Sequence, residues 1–178
     1  MESERKLYLA GIEPDSIVDG PGIRLVLFCQ GCLRKCPGCQ NPSTWPLEGG
    51  VEIGTDEILK MARENPLCHG VTFSGGEPFL QADVLAELAA SLRKEGFEIA
   101  CYTGYSIEEL MDGSRDQKRL LDSIDILIDG PYVEEERSLE LKFRGSRNQR
   151  ILDVQQSLLV GRAVLSADLR WRDTDGNP

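Results

Sequence analysis

The 178-residue chain is short of positive charge: 20 Lys and Arg stand against 30 Asp and Glu, for a formal net charge of -10. Surfaces for nucleic acid or for an anionic membrane need a basic footprint, so neither is expected here, and the partner should be a protein or a small molecule. Long apolar runs are also missing. The N-terminus, Met1-Glu2-Ser3-Glu4-Arg5-Lys6, is charged and leads into a short apolar stretch interrupted at Gly11 and Glu13. That pattern fits neither a signal peptide nor a membrane span, and the expected location is cytoplasmic. Histidine is almost absent. The one present, His69, lies beside Cys68 just ahead of an apolar segment, where a structural or surface role suits it better than ligation. There is no internal repeat and no low-complexity tract.

Cysteine, in contrast, is concentrated. Four of the six fall within Cys29-Gln30-Gly31-Cys32-Leu33-Arg34-Lys35-Cys36-Pro37-Gly38-Cys39. Thiolates this dense, with Gly and Pro letting the backbone wrap, suit a soft metal centre in a reducing compartment better than a disulfide framework. Two ligand sets compete. All four could enclose zinc or a closed 4Fe-4S cluster; alternatively Cys32, Cys36 and Cys39, a C-x3-C-x2-C triplet, hold three irons and leave the fourth open to a substrate or cofactor. Spacing favours neither set, because Cys29 ends the apolar run Ile23 to Phe28, where a buried free cysteine is ordinary. Cys68 and Cys101, each in an apolar segment, read as core.

Periodicity and turn chemistry predict an alternating chain. Strands are expected at Leu7 to Ile12, Ile23 to Phe28, Val71 to Phe73, Glu98 to Tyr102 and Ile124 to Ile128, with Asp19-Gly20-Pro21-Gly22 as a sharp turn. Between them, a helix opens at Thr55 as N-cap and stops at Pro66. A second carries Val84, Leu85, Leu88, Ala89 and Leu92 and ends at Gly96 in a left-handed conformation. A third starts at a Ser106/Glu109 capping box, breaks near Gly113 and resumes over Gln117 to Asp122. Asn41 to Gly54 reads as a Pro- and Gly-rich link. Leu158 to Leu165 is ambiguous in type and a candidate last strand. Alternation at this spacing implies right-handed crossovers and a parallel sheet, an α/β class. One domain over 1-165 is expected, with 166-178 a polar, loose tail.

Four successive strands end in unusual loops: the cysteines, Gly75-Gly76-Glu77-Pro78, Thr103-Gly104 and Asp129-Gly130. Ligands bind at the C-terminal ends of parallel strands, so all four should gather on one rim. A closed eight-unit barrel takes about 250 residues, so this chain can build only a partial, open one. The two glycines at 75 and 76 let a ligand reach backbone carbonyls, and Glu77 offers a negative charge to an ammonium group. Alone, such a loop is an ordinary turn.

The triplet after one strand and the Gly-Gly-Glu-Pro after the next resemble the radical S-adenosylmethionine enzymes. That resemblance implies Cys32, Cys36 and Cys39 as ligands of an open 4Fe-4S cluster, with Ser74, Gly75, Gly76, Glu77 and Pro78 around the methionine moiety of S-adenosyl-L-methionine. It also implies cofactor contacts at Gly38, Thr103 and Asp129. Asp129 is read as a hydrogen-bond partner of the ribose, with a helix or turn cap as its alternative role.

Asp19-Gly20-Pro21-Gly22-Ile23-Arg24, Gln30-Gly31-Cys32, and Cys36-Pro37-Gly38-Cys39 followed by Asn41 and Ser43-Thr44-Trp45 are similar to the activating enzymes of glycyl-radical enzymes. Asp129-Gly130-Pro131-Tyr132 and Arg144-Gly145-Ser146 with Asn148-Gln149-Arg150 are most similar to the branch that acts on the anaerobic, class III ribonucleotide reductase. The match runs from about residue 7 to 155. It implies reductive cleavage of S-adenosylmethionine and abstraction of hydrogen from a glycine loop of that reductase, with a low-potential electron donor such as a flavodoxin. Gln40, where an aromatic is common, and Cys29, where a non-cysteine is expected, depart from the pattern. Cys29 is left as a core residue, a spare thiol or a fourth ligand.

Three function classes follow: an activase of this kind, or of another glycyl-radical enzyme such as pyruvate formate-lyase; a radical S-adenosylmethionine enzyme for a small molecule or peptide; and a closed four-cysteine metal module. No acid-base residue is required by the first two. The segment from Lys142 through Arg144 and Arg147 to Arg150 is basic within an acidic chain, and reads either as a dock for the reductase or as a solvated loop. Trp45 and Tyr102 are left as packing residues.

Overall fold

The computed structural model describes residues 5–173. Its strands are β1 (Lys6–Ser16), β2 (Ile23–Cys29), β3 (Val51–Gly54), β4 (Cys68–Gly75), β5 (Glu98–Tyr102), β6 (Ile126–Asp129) and β7 (Arg150–Asp153). They form one sheet of order β3-β1-β2-β4-β5-β6-β7. The centre, β2-β4-β5-β6, is parallel. Antiparallel pairs flank it, β1 with β2 and β3 on one side and β7 with β6 on the other. The expected parallel sheet is therefore the core of a mixed one, and the edges stay open rather than closing into a barrel.

Alternation along the parallel strands divides the molecule. Leu25, Leu27 and Cys29 of β2, Val71 and Phe73 of β4, Ile99 and Cys101 of β5 and Leu127 of β6 all enter one core cluster. Helices α1 (Thr55–Glu64), α2 (Ala82–Lys94), α3 (Ile107–Met111), α4 (Arg115–Asp122) and α5 (Val154–Val160) supply the other half of it, with Ile58, Leu85, Leu88, Leu92, Ile107, Leu110, Leu120 and Val154 among the buried residues. Burying each such side chain stabilises the fold by about 1.5–3 kcal/mol. The opposite parity, Ala100, Ile126 and Ile128, packs in a smaller cluster around Trp171.

That second face also carries a buried cation. Arg24 is wholly buried and donates to Thr72 Oγ1 at 2.8 Å, to Glu98 Oε1 at 2.9 Å and to the Glu98 carbonyl at 3.0 Å. Its guanidinium stands 5.4 Å from the Trp171 ring centroid. Thr72 Oγ1 donates on to the Asp19 carbonyl at 2.9 Å, so Arg24 ties the turn at 19–22 to the sheet. Such a buried charge is tolerable only when it is fully hydrogen-bonded.

Several expectations change. Thr55 is the first residue of α1 rather than its cap, which is Gly54, and the link 41–54 hides the edge strand β3. The segment 158–165 is not the last strand. It holds the end of α5, a left-handed Gly161 (φ 72°) and one antiparallel bridge from Leu165 to Leu152, while the last strand is β7. The tail is not loose where it is described: Leu169–Trp171 forms a 3-10 turn and Trp171 is buried. Residues 174–178 of that expected tail lie outside the described part. Among the described residues no helix is long and apolar enough to cross a membrane.

Candidate functional site

The cysteine loop leaves the end of β2 and is pinned at its neck. Gly31 N donates to the Thr44 carbonyl at 2.8 Å, Cys32 N to the Trp45 carbonyl at 3.1 Å, and Gln30 Nε2 to the Pro46 carbonyl at 2.7 Å. Within it, Cys39 N donates to the Cys36 carbonyl at 3.1 Å, and Asn41 N to Cys39 Sγ at 3.4 Å. The loop turns through positive φ at Lys35 (48°) and Gly38 (73°). Cys32, Cys36 and Cys39 are free thiols, partly exposed, and all three line one cavity of about 130 Å³. Cys29 does not line it. Its side chain belongs to the core, and burial pushes its thiol far up from the ordinary range. Among the described residues no trio of His, Cys, Asp or Glu stands in metal-ligating arrangement; the three thiols are joined by one loop and one cavity.

The loop after β4 meets them from the side. Gly75 lies at φ 90°, and a Cβ there would stand 2.6 Å from Cys29 N. A Cβ on Gly76 would stand 2.3 Å from the Gly31 carbonyl oxygen. Gly76 N and Glu77 N donate at 2.8 Å to the carbonyls of Cys29 and Gly31. The two glycines thus let the second loop press its backbone against the neck of the first, a use that chemistry at the ligand end did not suggest.

Glu77 is buried, at 2% exposure, and lines the cavity. Its Oε1 accepts from Thr103 Oγ1 at 2.8 Å and Phe79 N at 3.2 Å, and its Oε2 from Gly104 N at 2.9 Å. Burial nevertheless outweighs these donors and raises its carboxyl above the usual range. Thr103 and Gly104, the exit of β5, are therefore bound to the second loop through Glu77. Gly104 also makes room for Arg34, whose Cδ would lie 2.1 Å from a Cβ at that position. Arg34 sits over the Tyr105 ring at 4.5 Å, and its Nε is buried without a hydrogen-bond partner, as is Nε1 of Trp45.

The rim of the cavity holds Cys32, Cys36, Cys39, Gly75, Gly76, Glu77 and Thr103 together. Ser74 lines the adjoining cavity of about 520 Å³, which shares Cys39, Gly75, Tyr102, Tyr132 and Gln149 with the first. Pro78 is buried at the start of the 3-10 turn Pro78–Gln81 and lines neither cavity. Gly38 also lines neither, and a Cβ on it would meet the Glu134 carboxylate at 2.6–2.9 Å.

Asp129 is turned away. Its Oδ1 accepts from Arg150 Nε at 2.9 Å, its Oδ2 from Arg150 Nη2 at 2.6 Å and from Ile107 N, at the start of α3, at 2.9 Å. These contacts hold the start of α3 beside its Ser106 cap, and among the lining residues of the cavity Gly130 stands in place of Asp129.

Arg34, Trp45, Tyr132 and Gln149 were not anticipated as lining residues. Arg34 had a signal, a cation inside the cysteine loop. Tyr132 and Gln149 stand in the motifs Asp129-Gly130-Pro131-Tyr132 and Asn148-Gln149-Arg150, but no local pattern shows that the long connection between the antiparallel strands β6 and β7 brings them to the cavity. That connection is held by Gln149 Oε1, which accepts from Gly145 N at 2.8 Å, and by Tyr102 Oη of β5, which donates to the Phe143 carbonyl at 2.7 Å. Arg144 pairs with Asp173 and Arg150 with Asp129 and Glu108. Two of the three arginines read as a dock are thus structural, and Arg147 alone among them is mostly exposed.

A family model described as a 4Fe-4S single cluster domain matches residues 18–152. The anaerobic ribonucleoside-triphosphate reductase-activating protein of Escherichia coli (strain K12) is 35% identical over 144 residues, covering 76% of this chain and 92% of its own. The protein of the same description from Enterobacteria phage T4 is 34% identical over 148 residues, 79% and 90% of the two chains. The pyruvate formate-lyase-activating enzyme of Clostridium pasteurianum is 44% identical over 100 residues, 53% of this chain and 42% of its own. Among solved structures, QueE from Escherichia coli aligns over 56% of this chain and 52% of its own, with a TM-score of 0.44 and 19% identity.

Proposed function

The chain belongs to the family of the anaerobic ribonucleoside-triphosphate reductase-activating proteins, and we propose that Cys32, Cys36 and Cys39 are the residues through which it works. It is an enzyme of the glycyl-radical-activating type, uses a 4Fe-4S cluster and S-adenosyl-L-methionine, and acts on the anaerobic ribonucleotide reductase. The observation that carries the site is the single cavity lined by three free thiols and by the Gly75-Gly76-Glu77 and Thr103-Gly104 loops. Three thiols and no fourth fit a cluster with one open iron. The buried, unpartnered Nε of Arg34 and Nε1 of Trp45 at the same cavity are donors suited to an anionic or carboxylate-bearing group.

When bound, the cluster and S-adenosylmethionine supply one-electron reduction of the sulfonium and a carbon-centred acceptor for a hydrogen atom. The chain's own residues position and shelter that chemistry. Glu77, held rigid by Thr103, Gly104 and Phe79, keeps its carboxyl fixed at the cavity, and an ammonium group bound beside it would favour its charged form. The carbonyl-lined contact between Gly76 and the 29–31 neck fixes the distance between the thiol loop and that carboxyl. Tyr102, Tyr132 and Gln149 form the wall shared with the larger cavity, through which a glycine loop of the reductase enters, and their bulk keeps water from the reacting atoms. The electron arrives from a low-potential donor such as a flavodoxin.

The test is anaerobic reconstitution with iron and sulfide, reduction, and addition of S-adenosylmethionine and the reductase. A glycyl EPR doublet is expected, lost in Cys32→Ala, Cys36→Ala and Cys39→Ala and kept in Cys29→Ala. Loss in Cys29→Ala with a folded protein would overturn the three-thiol assignment, and a doublet on pyruvate formate-lyase instead would move the target.

A further inference from the structure

We infer that the recess between β7 and the C-terminal turn is a binding site for a small organic phosphate, distinct from the cavity of the cysteines. The recess has a volume of about 240 Å³, with Ile151, Leu165 and Trp171 as its apolar wall. Four arginines line it, Arg144, Arg147, Arg150 and Arg172, against one acidic residue, Asp173. In a chain of net charge -10 this is a concentration of positive charge that the ordinary ion pairs do not absorb.

Two of the four are neutralised. Arg144 pairs with Asp173, and Arg150 with Asp129 and Glu108. The other two are not. Arg147 donates to Ser138 Oγ at 3.4 Å, and among the described residues its one carboxylate is Glu140 at 3.9 Å, with both side chains more than half exposed, a separation at which an exposed pair holds little. Arg172 donates to the Ser166 carbonyl at 3.3 Å, and among the described residues it has no carboxylate partner.

A second observation points to an occupant. Trp171 is wholly buried and its Nε1 has no acceptor; the Nε of Arg144 is buried without one as well. Buried N–H groups nearly always find partners, and here two orphans belong to residues of the same recess. Two guanidiniums without a close carboxylate suit a dianion, and the unpartnered N–H groups of Arg144 and Trp171, buried behind the lining, leave the recess wall short of acceptors. A phosphate monoester meets both requirements, since guanidinium forks match phosphate oxygens, while Ile151, Leu165 and Trp171 receive the organic part. Arg144 also lines the cavity beside the cysteines, as does Gln149, so the bound phosphate would steady a wall common to both.

Titration calorimetry on the full chain, without cluster or S-adenosylmethionine, tests this independently of the activase reading. Ribose 5-phosphate and inorganic phosphate are the probes. Saturable binding of ribose 5-phosphate at one site is expected, tighter than inorganic phosphate. Arg147→Ala and Arg172→Ala should each weaken it roughly tenfold or more, by the worth of a charge-assisted contact. Trp171→Phe, which keeps the ring and removes the donor, should weaken it several-fold, and Arg119→Ala on α4 should not. No saturable binding of either probe, equal losses in Arg119→Ala and Arg172→Ala, or inorganic phosphate binding as tightly as the ester would overturn the assignment.

Discussion

Trp171 offers the sharpest check on how the second face of the sheet is filled. Its side chain is wholly buried against Ala100, Ile126 and Ile128, the Phe143 ring stands edge-on at 5.3 Å, and the Arg24 guanidinium lies 5.4 Å from its centroid. Truncating a buried Trp to Ala costs about 3–5 kcal/mol, a large part of the 5–15 kcal/mol that holds an ordinary domain. At this chain length each kcal/mol moves the melting temperature by about 2–4 °C, so Trp171→Ala should melt roughly 6–20 °C lower. Trp171→Phe keeps an aromatic against Phe143 and Arg24 and should lose about 1–2 kcal/mol. A chain ended after Leu165 should lose at least as much as the Ala variant, because Arg144 also forfeits Asp173. Thermal unfolding followed by circular dichroism, with urea titration alongside, reads all three. A fall below about 2 °C in the truncated chain, or equal losses for Phe and Ala, would refute the packing argument.

Gly76→Ala places a methyl carbon 2.3 Å from the Gly31 carbonyl; it should cost about 1–3 kcal/mol by overpacking, and binding of S-adenosylmethionine, measured by equilibrium dialysis, should drop with it. Asp129→Asn breaks the bidentate contact with Arg150 and should destabilise by about 3 kcal/mol, the lower end for a broken buried pair because Arg150 is 36% exposed; affinity for S-adenosylmethionine should hardly change, and a selective loss of affinity would return Asp129 to the ribose. Glu77 has a carboxyl raised by burial, so the native chain binds a proton that the unfolded chain has released over the window between the two pKa values. Stability contributed there is present below the ordinary carboxylate range and is lost as pH rises through the raised native value. Urea midpoints of the cofactor-free chain should fall across that window, and Glu77→Gln should flatten that limb; an unchanged slope would show that Glu77 ionises normally.

The parallel core was legible because each of its strands is a short apolar run between turn signals. The helices were legible because capping boxes and the apolar periodicity from Val84 to Leu92 are local signals. Glu98–Tyr102 and the Ser106/Glu109 box stand where the pattern put them. The edges were less legible for a physical reason. β3 has two of its four residues exposed among Gly and Pro neighbours and exists by pairing with β1, so its hydrogen bonds come from a partner more than forty positions away. The stretch from 150 to 165 misled because α5 is short and β7 is antiparallel, and neither offers enough repeats for a period to be read.

The site divides in the same way. The thiols and the Gly-Gly-Glu loop could be read from the chain because their chemistry is unusual for their spacing, but their mutual geometry rests on backbone contacts that no side chain announces. Gly75 and Gly76 are glycines because the strand exit at 28–31 occupies the space of their side chains, which would hold even without a ligand. Asp129 illustrates the converse. An acid at a strand end in such a rim looks like a ligand contact, yet its oxygens are taken by Arg150, twenty-one residues on, and by the first N–H of α3. Arg150, neutralised by Asp129 and Glu108, in turn lines the recess behind the cavity, where Trp171 closes the uncovered side of an open sheet. The residues that stabilise this open sheet are therefore drawn from the β6–β7 connection and the tail, where charge patterns alone suggest a docking loop and a loose end.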